Sequence, residues 1–247
     1  MKWFDTHIHS EGRSVEDLRK MADAGIEFAV TCAFYPIPPE HPETLLDLFR
    51  KLEIFEAKRG EKAGMNIFPA LGIHPRCIPP KYEVVLPAIT RGVAVGEIGL
   101  EEGGEAEVKV FKAQLRIAKE NDLPCIIHTP KNNKEIITEK TLEILEAISF
   151  PEELAVIDHL SPLTAEEVLK QGYYGGLSVQ PGKLTPSQAL EIVEKYGPER
   201  LMLNSDTGFS ESEMDAVAKA GNLMAEKLGR DVAEEVGMKN AKEFFKV

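Results

Sequence analysis

Eight short runs rich in β-branched and aliphatic residues (residues 3–8, 27–33, 67–73, 92–98, 124–128, 154–159, 173–179 and 200–205) alternate with amphipathic stretches from end to end of this chain. The stretches between them place apolar residues at helical spacing over 15–24, 42–60, 107–121, 134–149, 164–171, 186–196 and 211–228. The segment between the third and fourth runs, 82–91, has the weakest helical pattern. Gly25, Gly172 and Gly197-Pro198 fall where helices should stop. An unbroken βα alternation requires a parallel sheet with right-handed crossovers, and eight repeats close it into a barrel. No Gly/Ser linker or low-complexity segment divides the chain. Residues 1–247 are therefore read as a single α/β domain, a (β/α)8 TIM barrel, with a short extra helix at 232–236 and a tail from Gly237 to Val247.

Five of the six histidines sit at or just past the end of one of these runs, where a barrel of this kind gathers its functional groups. The first run carries Asp5-Thr6-His7-Ile8-His9. The side-chain period of a strand is two, so His7 and His9 share a face and can grip one ion. Asp5 lies on that face and is expected to orient one of the rings from behind. Glu97, His128, His159 and Asp206 end the fourth, fifth, sixth and eighth runs. A carboxylate shared between two cations offsets their repulsion and fixes their separation, which is the role expected of Glu97. His128 and His159 would hold the second ion. Asp206 lies too far before the following helical stretch to cap it and suits a carboxylate that holds and deprotonates an attacking water. The expected cofactors are two divalent ions, zinc first, with manganese or magnesium also compatible with the carboxylates. Two such ions outweigh Glu97 and Asp206 in charge, which favours an anionic or oxyanion-forming substrate. His74 is assigned to substrate contact or to support of the ligands, because six ligands already complete a binuclear set. Lys131, with Arg76, Lys134 and Lys183, occupies the loops expected to rim the barrel mouth.

Composition narrows the partners. A net charge of −12 gives no global basic surface for nucleic acid or anionic lipid. The three cysteines are widely spaced, with no Cys-x-x-Cys pair, which argues against a disulfide framework and a zinc ribbon. No basic, apolar leader and no run of membrane-spanning length is present, so a soluble cytoplasmic protein without a membrane partner is the expectation.

These residues resemble the TatD-like metal-dependent hydrolases, a branch of the amidohydrolase superfamily. The resemblance is carried by Asp5-Thr6-His7-Ile8-His9, Gly72-Ile73-His74-Pro75, Gly96-Glu97-Ile98-Gly99-Leu100, Gln114-Leu115, His128, His159, Asp206 and Asn240-Ala241-Lys242-Glu243-Phe244-Phe245. It implies that His7, His9 and Asp206 hold one ion, that Glu97 bridges, and that His128 and His159 hold the other. It also implies phosphodiester hydrolysis of the deoxyribonuclease type. The chain departs from the family pattern at Glu101, commonly Asp, at Pro130, commonly Arg, at Leu160, and around Asn204-Ser205-Asp206-Thr207-Gly208. Those departures leave metal binding intact and the substrate open between a phosphodiester and an amide, lactone or other small ester. The expected partner is a small anionic substrate or short nucleic acid. A phosphotriesterase-like enzyme would place a lysine at position 97. A metal-binding barrel with little catalysis is the reading from a different functional class.

Overall fold

The computed structural model describes residues 1–247 and contains eight parallel strands. These are β1 (Trp3–Ile8), β2 (Ile26–Cys32), β3 (Asn66–Ala70), β4 (Val95–Gly99), β5 (Cys125–His128), β6 (Ala155–Ile157), β7 (Tyr174–Ser178) and β8 (Leu201–Asn204). Two ladders, β1-β2-β3 and β4 through β8, meet at the parallel bridges Ala70–Ala94 and Ile8–Thr207, which close the barrel. At the second seam Asp206 N–H donates to His7 C=O (2.8 Å) and His9 N–H donates to Thr207 C=O (2.7 Å). Closure thus pins the first and last predicted ligand segments to each other.

The helices are α1 (Val15–Asp23), α2 (Glu43–Lys51), α3 (Ala57–Ala63), α4 (Glu105–Glu120), α5 (Lys134–Ala147), α6 (Ala165–Lys170), α7 (Pro186–Tyr196), α8 (Ala216–Lys227), α9 (Arg230–Glu234) and α10 (Asn240–Phe245). A wider π turn over Leu52–Glu56 joins α2 to α3 without a break. The connection between β3 and β4 holds only 3-10 turns, as its weak periodicity implied. Capping boxes start α1 (Ser14 with Asp17) and α7 (Thr185 with Gln188), each satisfying backbone N–H groups that the helix itself leaves free.

Two apolar layers result. The larger lies between strands and helices; there Trp3 needs glycine opposite it, since a Cβ on Gly221 would come within 2.5 Å of its ring. The smaller gathers Phe4, Val30, Cys32, Ala70, Ala94, Ile126, Val156 and Met202 with Ala241, Phe244 and Phe245 of α10. These strand residues are the barrel's interior filling, and α10 packs against them. The segment read from sequence as a tail after Gly237 is therefore largely helix, with Phe244 and Phe245 both buried. α10 continues α9 through a π segment at Glu235–Lys239, and that wider turn shifts the helical phase, so no single 3.6-residue period spans the segment in the sequence.

Candidate metal centre

Glu97 lies at the centre of the cluster. It leaves β4 where the register against β5 slips between Val95 and Ile98, and its carboxylate is buried among five histidines. Oε2 lies 3.4 Å from His7 Nε2 and 3.8 Å from His9 Nε2. Oε1 lies 2.7 Å from His128 Nδ1 and 3.1 Å from His159 Nε2. Asp206 Oδ1 completes the first group, 3.2 Å from His9 Nε2 and 3.6 Å from His7 Nε2. The two histidine nitrogens of that group are 3.2 Å apart. An ion bound tetrahedrally through bonds of about 2.1 Å sets neighbouring donors about 3.4 Å apart. The spacings of the first group scatter around that value, so these residues fit a cation without rearrangement. Each oxygen of Glu97 thus faces a different set of donors.

The opposite side of each ring is also engaged. His7 Nδ1–H donates to Asp158 Oδ2 (2.5 Å), and His9 Nδ1–H to the carbonyl of Cys32 (2.9 Å). His128 Nε2 pairs with Glu101 Oε2 (2.8 Å), and His159 Nδ1 with Ser178 Oγ (2.7 Å). A proton held on the rear nitrogen leaves a lone pair on the one that faces Glu97, which is the arrangement metal-binding histidines show. His74 is different. Its Nδ1 accepts from Arg76 N–H (3.0 Å), burial pushes its pKa well below the usual range, and the remaining ring proton sits on Nε2, 3.6 Å from Glu97 Oε2. His74 therefore presents a donor rather than a lone pair, and suits contact with Glu97 or substrate. Burial works against the charge on Glu97, but without a cation in place His7 and His128, whose own pKa values Glu97 raises, carry a second ring proton, and their charge holds the carboxyl well below its usual range.

Asp5 does not orient a ring. Its carboxylate accepts from Ser205 N–H (2.8 Å) and Ser205 Oγ–H (2.6 Å), tying β1 to the end of β8, and burial raises its pKa to about 7. The register slip between Asp5 and Ile8 breaks the strict alternation that placed it behind His7. Asp158 orients His7 instead. Its second oxygen accepts from Asn204 Nδ2–H (2.7 Å), and the neighbouring position in β7 is Gly176, where a Cβ would meet Asp158 Oδ1 at 2.0 Å. Period-two reasoning hides Asp158, since adjacent strand residues point to opposite faces. β6 ends at Ile157, however, and His159 takes a left-handed φ of 58°, so consecutive residues both serve the site. Asp206 is left-handed too, at φ 46°. Such backbone is costly for residues other than glycine, and clusters where side chains must be aimed. Glu101, read from sequence only as a departure, is the carboxylate behind His128.

The cluster floors a cavity of about 760 Å³ at the mouth of the barrel. Phe34 and Phe209 line one wall, with ring centroids 5.8 Å apart, and Arg76 stands over Phe34. Lys131, Lys134 and Lys183 line the other side, Lys183 contacting Asp206 Oδ2. Arg76, Lys131, Lys134 and Lys183, which the sequence placed in mouth loops, all face this one space.

The sequence profile of the family described as TatD related DNase matches residues 4–246. A metal-dependent hydrolase of Methanocaldococcus jannaschii, itself described as uncharacterized, is 36% identical over 98% of this chain and 99% of its own. The crystal structure of a TatD-like protein from Archaeoglobus fulgidus superposes with a TM-score of 0.88 at 44% identity, covering 99% of this chain and all of that one. The phosphotriesterase homology protein of Escherichia coli shares the fold, with a TM-score of 0.68 at 13% identity over 99% of this chain and 98% of that one. No helix is long and apolar enough to cross a membrane. With a profile match spanning nearly its full length and ligand-type side chains converging at its barrel mouth, this chain belongs to the TatD-related DNase family of metal-dependent hydrolases.

Proposed function

We propose that this protein hydrolyses a phosphodiester or comparably small anionic ester, using two divalent cations, zinc in the first instance, with manganese or magnesium as alternatives. The observation that carries this reading is Glu97, one oxygen of which faces His7 and His9, with Asp206 beside them, while the other faces His128 and His159. When bound, the two cations polarise the ester oxygen and lower the pKa of water at the site. The protein's own residues do the rest. Asp206 is positioned to accept the proton of the attacking water, its Oδ1 lying beside the histidines and its Oδ2 toward Lys183. The rim cations favour an anionic group over a neutral one. Phe34 and Phe209 exclude water from one side and offer an apolar surface to the remainder of the substrate.

A long duplex is a poor candidate. The net charge of −12 repels a polyanion at range, and the cationic residues cluster within one cavity rather than along an extended surface. A short single strand or dinucleotide fits better. The apolar wall also favours a second reading, hydrolysis of a lactone or amide with the same ligands in the same roles.

The test is a screen of the zinc- and manganese-loaded protein against phosphodiesters, phosphomonoesters, lactones and amides, each with and without a chelator. Turnover of a phosphodiester that chelation abolishes and re-added ion restores is the expected result. Metal-dependent turnover of lactones or amides alone would overturn the phosphodiester assignment. No turnover in any class would instead leave a metal-binding barrel.

A further inference from the structure

Lys134 is the first residue of α5, and its ammonium lies over the carbonyl of His159 (2.9 Å) and the hydroxyl of Thr129 (2.9 Å), with the Thr129 carbonyl at 3.4 Å. All three acceptors are neutral, and no carboxylate lies within ion-pair distance of this side chain. The carboxylates whose charge acts on it, Asp158 and Glu101, are engaged by His7 with Asn204 and by His128. Its position is unfavourable for fold stability on two further counts. A cation at a helix N-terminus opposes the helix dipole, and Asn133 supplies no side-chain cap to the free N–H groups there. Lys183, which contacts Asp206 Oδ2, approaches from the β7–α7 loop with its ammonium 3.3 Å from His159 Nδ1, so two cations bracket one histidine and Lys134 is the one without a carboxylate. Lys134 is partly buried and has no counter-ion, and both lysines line the cavity wall above Glu97.

We infer that Lys134, with Lys183 and the N-terminus of α5, forms a second anion subsite beside the metal centre, so that the preferred substrate carries a terminal phosphate monoester as well as the ester that is cleaved. This rests on the phosphodiester reading for the bond broken, while the subsite itself is argued from the lysines alone. It makes the protein selective for phosphorylated ends of short strands. A single-charged diester would fill the metal centre and leave Lys134 without a counter-ion; a terminal phosphate supplies one with up to two charges.

The experiment compares the dinucleotide TpT with its 5′- and 3′-phosphorylated forms. With the metal-loaded enzyme, kcat/KM for the better phosphorylated form should exceed that for TpT by about tenfold or more, the scale of one charge-assisted hydrogen bond. Lys134→Met should bring that ratio close to one, and Lys134→Arg should keep most of it. Equal kcat/KM for all three dinucleotides in the wild type, or an unchanged ratio in Lys134→Met, overturns the inference. Calorimetric binding of the same dinucleotides to the protein as purified gives a readout independent of catalysis. Tighter binding of a phosphorylated form that Lys134→Met abolishes, in a protein that cleaves none of them, would retain the subsite and remove the phosphodiester reading. Equal binding of all three by the wild type removes the subsite whatever the turnover.

Discussion

Asp206→Asn lowers turnover by about 10²–10⁴-fold on the ester identified by the screen, while the barrel and most of the bound metal remain. Asparagine has nearly the shape of aspartate and keeps an oxygen near His9 Nε2, 3.2 Å from Oδ1 in the native protein. Its amide cannot accept a proton, so the loss falls on the step in which water is deprotonated rather than on assembly of the site. The backbone here is left-handed at φ 46°, a conformation that asparagine tolerates as well as aspartate does. Steady-state kinetics and metal content measured on the same preparation separate the two contributions. Turnover near that of the wild type would remove Asp206 as the proton acceptor. Activity and metal lost in parallel would reduce it to a ligand.

Asp158→Asn weakens binding of the ion held by His7 and His9 by about 10–100-fold. The native carboxylate accepts the Nδ1 proton of His7 at 2.5 Å and is fixed by Asn204 at 2.7 Å, so it sets both the tautomer of His7 and the basicity of its Nε2. A neutral amide removes the charge that raises that basicity, and can turn an N–H toward the ring. Gly176→Ala should act in the same direction without touching either charged group, because its methyl would stand 2.0 Å from Asp158 Oδ1. Competition against a chromophoric chelator measures the affinity directly, and thermal unfolding in excess chelator distinguishes lost metal from a damaged fold. Wild-type affinity in both variants would show that Asp158 has no part in holding the ion.

The contrast between Asp158 and Asp5 shows where sequence reasoning was sufficient and where it failed. The eight strands could be located because each is a short buried run of β-branched and aliphatic residues bounded by glycine, proline or charged residues. Their ends could be located because His7, His9, Glu97, His128, His159 and Asp206 interrupt those runs with chemistry that a core does not need. Period-two alternation then selected Asp5 as the residue behind His7, and that step depended on a regular strand. The structure has a register slip in β1 and a left-handed residue just past β6, and both fall where ligands are aimed. Glu101 was visible in the sequence, but its relation to His128 spans 27 positions and depends on the path of the β4–α4 loop. The covering of the barrel interior by Phe244 and Phe245 was hidden for a different reason. The π segment at Glu235–Lys239 shifts the helical phase between α9 and α10, so neither short piece shares a common period with the other.

The central claim is that one carboxylate, Glu97, is shared between two bound cations. The direct measurement is elemental analysis of zinc-saturated wild type and Glu97→Gln, joined to a crystal structure of the zinc-loaded wild type. The account predicts two zinc ions per wild-type chain, each within coordination distance of a different Glu97 oxygen, and fewer than two in the variant. A saturated wild type holding one ion or none, or two ions with Glu97 coordinating neither, would contradict it.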